Sequence, residues 1–262
     1  MLLAIVATEI DWPTLRGQLS IVDQDKHRCT IVPLDQKAPK FPWITKDMDF
    51  LKWESDEKFQ ALWLSGPRNC MKEVSSQVIA KEKAFRPNGC VLYFFCAAAR
   101  EARGSIATVF AHTLLHQIVC YSGAGDQAIP TAFLMSLLEG HIQRSLSRFG
   151  EDDDLETTVK NILDVPDEDL HIALVKAIAI AKLEDLSLTI DGINIAVSKG
   201  DTFVQNVSFL VDHMMDARTT RFKVLLTSSQ HLELGGLLGH LPSIELDRER
   251  KGYAQFPRPN RS

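Results

Sequence analysis

The sequence predicts a three-layer α/β domain in which a mostly parallel central sheet is flanked by helices, and three observations carry that expectation. Short apolar runs of strand length alternate with stretches of helical spacing. One run, Gly89 to Ala97, is apolar throughout its central part and bounded by Pro87-Asn88, as befits a strand covered on both faces. Another, Ala61-Leu62-Trp63-Leu64-Ser65, ends at a glycine turn and opens into a helical stretch.

The remaining elements follow in order. Residues 1–58 carry Trp12, Trp43, Trp53 and several prolines with no sustained period, and read as a lead-in that packs onto the core. After the first strand, residues from about Lys72 to Lys83 place Val74, Val78 and Ile79 on one helical face. Ser105 is a suitable N-cap for a helix over 105–119 containing Val109, Leu114, Leu115 and Ile118. Further helices are expected over 130–149, over 155–163 behind the acidic cluster Glu151-Asp152-Asp153-Asp154, and over 167–182 with Leu170, Leu174, Ile178 and Ala181 at helical spacing. The strand Leu186 to Ile190 ends in Asp191-Gly192, a helix is expected near 202–217, and Phe222 to Thr227 forms another strand. The main domain is expected to span 59–246, with a polar tail over 247–262.

Composition narrows the function classes. With 45% hydrophobic residues the 262-residue chain can bury a substantial core. A net charge of -5 gives no general attraction to nucleic acid or to an anionic membrane surface, so neither is expected as a partner. The apolar N-terminus reaches Glu9 without a basic flank, unlike a signal peptide, and no apolar run approaches the roughly 20 residues that span a bilayer. The five cysteines are odd in number and form no C-x-x-C pair, consistent with reduced thiols in the cytoplasm.

Chemistry concentrates after the first strand. Gly66-Pro67-Arg68-Asn69-Cys70-Met71-Lys72-Glu73 has the length of a phosphate-binding loop, G-x-x-x-x-G-K-[S/T], with glycine first and lysine seventh. Met71 replaces the second glycine and Glu73 the hydroxyl that would hold magnesium. A Glu73 carboxylate about 4 Å from a phosphate charge would cost roughly 4 kcal/mol per charge pair at an effective dielectric near 20. Met71 adds bulk where backbone must approach phosphate. Lys72 and Arg68 supply the opposite charge and favour an anion. Other constellations are weaker. Cys70 has no adjacent base; His112 and His116 have zinc-like spacing, but Thr113 occupies the general-base position; no G-x-S-x-G elbow exists.

The order of landmarks resembles the nucleoside-triphosphatase domain of fungal NACHT proteins, a signalling branch of the P-loop NTPases. The resemblance covers about residues 50 to 246 and rests on Phe59 to Gly66, Val91 to Cys96, Leu114 to Ile118, Leu188 to Asn194 and Lys223 to Ser229. It implies a P-loop NTPase-like fold, with ATP or GTP and magnesium as cofactors if any are held. Gly66, Arg68, Lys72, Glu73 and Asp191 would then form the nucleotide site, and Asp191, as the Walker B acid, would hold the metal. The acidic pair that follows in the family falls here on Asn194 and Ile195, and Ser229 stands where an arginine is usual. No catalytic residue is therefore assigned. The resemblance implies a degenerate signalling module that binds a protein partner, or else a nucleotide-binding switch with slow or no turnover. NACHT proteins continue into winged-helix and repeat segments for which the residues after Leu246 leave no room, so a stand-alone remnant or a module beside a partner chain is expected.

Overall fold

The computed structural model describes residues 22–31, 44, 47–55, 60–85, 90–100, 102, 105–121, 172, 174, 185–197, 203–216, 221–229 and 232–246. Among the described residues two helices lead in, α1 (Gln24–Ile31) and α2 (Met48–Ser55). Then come β1 (Gln60–Ser65), α3 (Arg68–Phe85), β2 (Cys90–Phe95), the single turn α4 (Cys96–Ala99) and α5 (Ile106–Tyr121). The second half contributes β3 (Asp185–Asp191), α6 (Asn194–Val197), α7 (Phe203–Asp216), β4 (Arg221–Ser228), α8 (Leu232–Leu238) and β5 (Ser243–Glu245).

The five strands form one sheet in the order β2-β3-β4-β1-β5, and every neighbouring pair is parallel. Successive side chains of a strand leave opposite faces, so each strand feeds two cores. On one face Ala61, Leu92, Phe94, Leu188, Ile190, Val224 and Leu226 pack with α5, α7 and α8. On the other, Leu62, Leu64 and Leu225 pack with Phe50 and Trp53 of α2 and Met71, Val74 and Val78 of α3. Tyr93 and Phe95 continue that face toward the edge with Ile79. The result is the three-layer α/β fold the alternating pattern predicts.

Local sequence explains the element ends. Ser105 accepts the Thr108 backbone N–H at 3.0 Å, the expected N-cap of α5. Asp47 caps α2 through the Asp49 N–H at 3.1 Å, and Asp23 caps α1 through the Lys26 N–H at 2.8 Å. The apolar run 89–97 is strand only as far as Phe95, beyond which Cys96 turns into α4. The helices expected over 130–149 and 155–163 lie outside the described residues, as does most of the 167–182 stretch, where Leu174 is buried against the α5 side of the core. Among the described residues no helix is long and apolar enough to cross a membrane.

Lys223 connects the lead-in to the sheet. It is 1% exposed in the middle of β4, and its Nζ donates to the carbonyl oxygens of Trp53 and, at 2.7 Å, Glu54 in the last turn of α2. Cations stabilise a helix C-terminus by meeting its unpaired carbonyls. Lys81 of α3 forms an ion pair with Glu54 alongside.

Candidate functional site

The carboxyl ends of β1, β3 and β4 meet where the sheet order reverses: the chain leaves β1 for the far edge strand β2 and leaves β4 for β5 on the opposite side. In open α/β sheets such a point is where ligands bind. Gly66 follows β1 there, and its N–H donates to the Ser228 carbonyl at 3.0 Å. A Cβ at Gly66 would lie 2.8 Å from the Leu246 Cβ, while the Leu246 N–H donates to the Ser65 carbonyl at 2.8 Å. The glycine is thus required by the close passage of the chain after β5. Gly192, with φ of 76°, ends β3 in the left-handed region that glycine tolerates, and its N–H donates to the Thr227 carbonyl at 2.9 Å.

The structure corrects the eight-residue loop. Only Gly66 and Pro67 lie between β1 and α3, and the helix starts at Arg68, a full turn before the expected Lys72. The Cys70 and Met71 N–H groups donate to the Pro67 carbonyl at 2.9 and 3.1 Å. Amides that a phosphate cradle would aim at its ligand are therefore spent inside the helix. The cause is Met71, which is 2% exposed and packs with Phe50, Trp53, Leu62 and Leu64. Burial of a side chain that size stabilises by about 1.5–3 kcal/mol and draws the segment onto the sheet as helix.

At a helical period of 3.6, Arg68, Lys72 and Ser75 share a face of α3, and that face meets Asp191. Asp191 is 1% exposed at the end of β3. Its Oδ1 accepts from Ser75 Oγ at 2.9 Å and from Thr227 Oγ1 at 2.7 Å. Ser75 Oγ also lies 2.9 Å from the Met71 carbonyl and 3.3 Å from Thr227 Oγ1. Burial pushes the Asp191 carboxyl above the usual carboxylate range, against the opposing pull of the Thr227 and Ser75 hydroxyls and then of the Lys72 and Arg68 charges. Of the five residues the sequence points to, Arg68, Lys72 and Asp191 converge. Gly66 has its own packing role, and half-buried Glu73 lies one residue round the helix from the converging face.

A family model described as nephrocystin 3, N-terminal, matches residues 40–229, well over half of the chain. The chain belongs to the nephrocystin 3 N-terminal family. No curated protein and no solved structure gives a match. The matched family is not the NACHT family that the sequence landmarks resemble. The nephrocystin 3 N-terminal match contains all five candidate residues, together with α2 and β1 to β4.

Within this nephrocystin-type domain the hydroxyl that α3 gives Asp191 comes from Ser75, not from the position of Glu73. Sequence reasoning missed it, although Ser75-Ser76 begins only two residues beyond the octet. Asn194 and Ser229 are joined, the Ser229 N–H donating to Asn194 Oδ1 at 3.0 Å, so the position of the missing acid ties the start of α6 to the end of β4. Ile195 packs against Gly192 with its Cδ1 3.2 Å from where a Cβ would stand. His112 is buried in α5, whereas half-buried His116 lies 3.6 Å from Cys120 Sγ. Among the described residues no cluster of three or more His, Cys, Asp or Glu side chains could hold a metal. Burial pushes the Cys90 thiol up to about 12, which makes it unreactive.

Nucleotide-bound magnesium fits this arrangement poorly. The ion takes near-octahedral oxygen ligands and usually shares a carboxylate with substrate phosphates. Here one carboxylate is buried and doubly hydrogen-bonded, and the phosphate-facing amides are occupied. The same burial predicts a pH effect. The folded state holds the Asp191 proton more tightly than the unfolded chain, so the stabilisation this proton gives is complete at low pH and is lost as pH rises through the raised pKa. Asp191→Asn keeps an oxygen for both hydroxyls and removes the charge. It is expected to stabilise by about 1 kcal/mol near neutral pH, with the gain vanishing as pH falls to about 4. Thermal melts across that range check it, and a variant less stable than wild type at neutral pH would contradict it.

Proposed function

We propose that this domain acts through protein contacts, as a NACHT-like, P-loop-derived interaction or scaffolding module in the cytoplasm that does not hydrolyse nucleoside triphosphates efficiently. The observation that carries this reading is the start of α3 at Arg68, which places the Cys70 and Met71 amides on the Pro67 carbonyl. The departures at Glu73, Asn194, Ile195 and Ser229 support it from the side of chemistry, because each stands where the NACHT pattern has a group that acts on phosphate or water.

A second reading, a nucleotide-binding switch for ATP or GTP, draws on one specific observation: the α3 face that carries Arg68 and Lys72 is turned to Asp191 at the end of β3. Calorimetry with ATP, GTP and their diphosphates in the presence of magnesium separates the two. The interaction module gives no binding heat up to millimolar ligand, a level equivalent to about -4 kcal/mol, and no phosphate release. Tighter binding that disappears in Lys72→Ala would establish the switch instead.

A further inference from the structure

The outer edge of the sheet is closed in an unusual way. Among the described residues β2 is an edge strand, and a free strand edge is a template for another chain. At Tyr93 the backbone N–H donates to Gln117 Oε1 at 2.9 Å, and the carbonyl accepts from Gln117 Nε2 at 2.8 Å. A primary amide thus makes both bonds that a neighbouring strand would make. Two residues on, the Phe95 N–H donates to Gln24 Oε1 at 2.8 Å. The two glutamines come from different elements, Gln117 from α5 and Gln24 from α1.

The two halves are held differently. Gln117 belongs to a sixteen-residue helix whose Leu114, Leu115 and Ile118 are in the main core. Gln24 belongs to an eight-residue helix whose first residues border a cavity of about 70 Å³, lined by Gln24, Tyr93, Thr113, His116 and Gln117 among others. Gln24 Nε2 and Thr113 Oγ1 are buried there without a hydrogen-bond partner among the described residues. One ion pair ties α1 to α3, Asp25 with Lys83 at 3.6 Å, while the pair of Asp25 with Arg28 at 3.5 Å lies within α1; both use a well-exposed carboxylate, and such pairs contribute little.

We infer that Gln24 and Gln117 form a clasp that closes the outer edge of β2 against strand addition by a second copy of this chain, and that α1 carries the half that comes away. Strand order makes a second copy the fitting occupant: the same edge on both chains forms a self-complementary, two-fold interface. The inference stands whether or not the domain binds nucleotide.

Residue-resolved amide exchange and sedimentation of the full chain test it, using Gln24→Met, Gln117→Met and the double variant. Methionine keeps length and removes both hydrogen-bonding groups. The Phe95 amide is expected to exchange roughly tenfold faster in Gln24→Met, and the Tyr93 amide likewise in Gln117→Met, a factor equivalent to about 1.4 kcal/mol. Leu92 and Phe94, which alternate inward to β3, keep their rates. The double variant gains a concentration-dependent dimer. Unchanged rates at Tyr93 and Phe95, uniform acceleration along β2, or a folded double variant that stays monomeric would each overturn the clasp. If the double variant does not fold, the two single-variant exchange patterns decide.

Discussion

Lys223→Ala is expected to lower stability by about 4 kcal/mol and to detach α2 from the sheet. The side chain is 1% exposed, and its ammonium is spent on the Trp53 and Glu54 carbonyls, 5.5 Å from the Trp53 ring centroid. Hydrogen bonds from a charged donor contribute about 1.5–3 kcal/mol each, and truncation also leaves a cavity beneath Trp53 and Phe50. Relief of the buried ammonium's desolvation offsets part of that loss. Lys223→Met separates the contributions: it preserves volume, orphans the same carbonyls, and is expected to cost about 2 kcal/mol. Urea denaturation of both variants, followed through tryptophan fluorescence, reads the difference. Equal stability of wild type and Lys223→Met would show that the ammonium contributes nothing net.

Phe94→Ala is expected to cost a further-reaching 3–5 kcal/mol, because its ring is one corner of an aromatic triangle. Phe94 lies 5.1 Å from Phe110 and 5.7 Å from Phe203, and those two are 5.0 Å apart, all at centroid distances. Two of the contacts are edge-on, the arrangement that adds to simple burial. All three rings are fully buried on the face away from α3. The loss therefore falls on the core that joins β2, α5 and α7, and thermal denaturation should record it without any change at Asp191. A loss under about 1 kcal/mol would mean that the site repacks freely.

Much of this architecture could be read from the chain because strands buried on two faces leave long apolar runs. Cys90 to Phe95 is such a strand, whereas Asp185 to Asp191 shows as alternation ending in Asp191-Gly192 and Arg221 to Ser228 as the short run Val224 to Leu226; the Ser105 cap marks the start of α5. What escaped reading depends on partners distant in sequence. Ser75 meets Asp191 across 116 positions, and Lys223 meets Trp53 across 170. β5, Ser243–Glu245, is too short for any alternation to register, and α1 is mostly polar, so neither leaves a periodic signal. The start of α3 is more instructive. Met71, Val74 and Val78 already carry helical spacing, but glycine first and lysine seventh in the octet imposed a loop on residues whose apolar member is drawn into the core.

Residue-resolved amide exchange at Cys70 and Met71, with and without millimolar ATP and magnesium, tests most directly whether the helix has replaced the phosphate cradle. Both amides are expected to exchange slowly, as bonds to the Pro67 carbonyl require, and at the same rate whether or not nucleotide is present. Fast exchange in the free protein that becomes slow when nucleotide is added would mean that these amides form an open loop waiting for phosphate, and would contradict it.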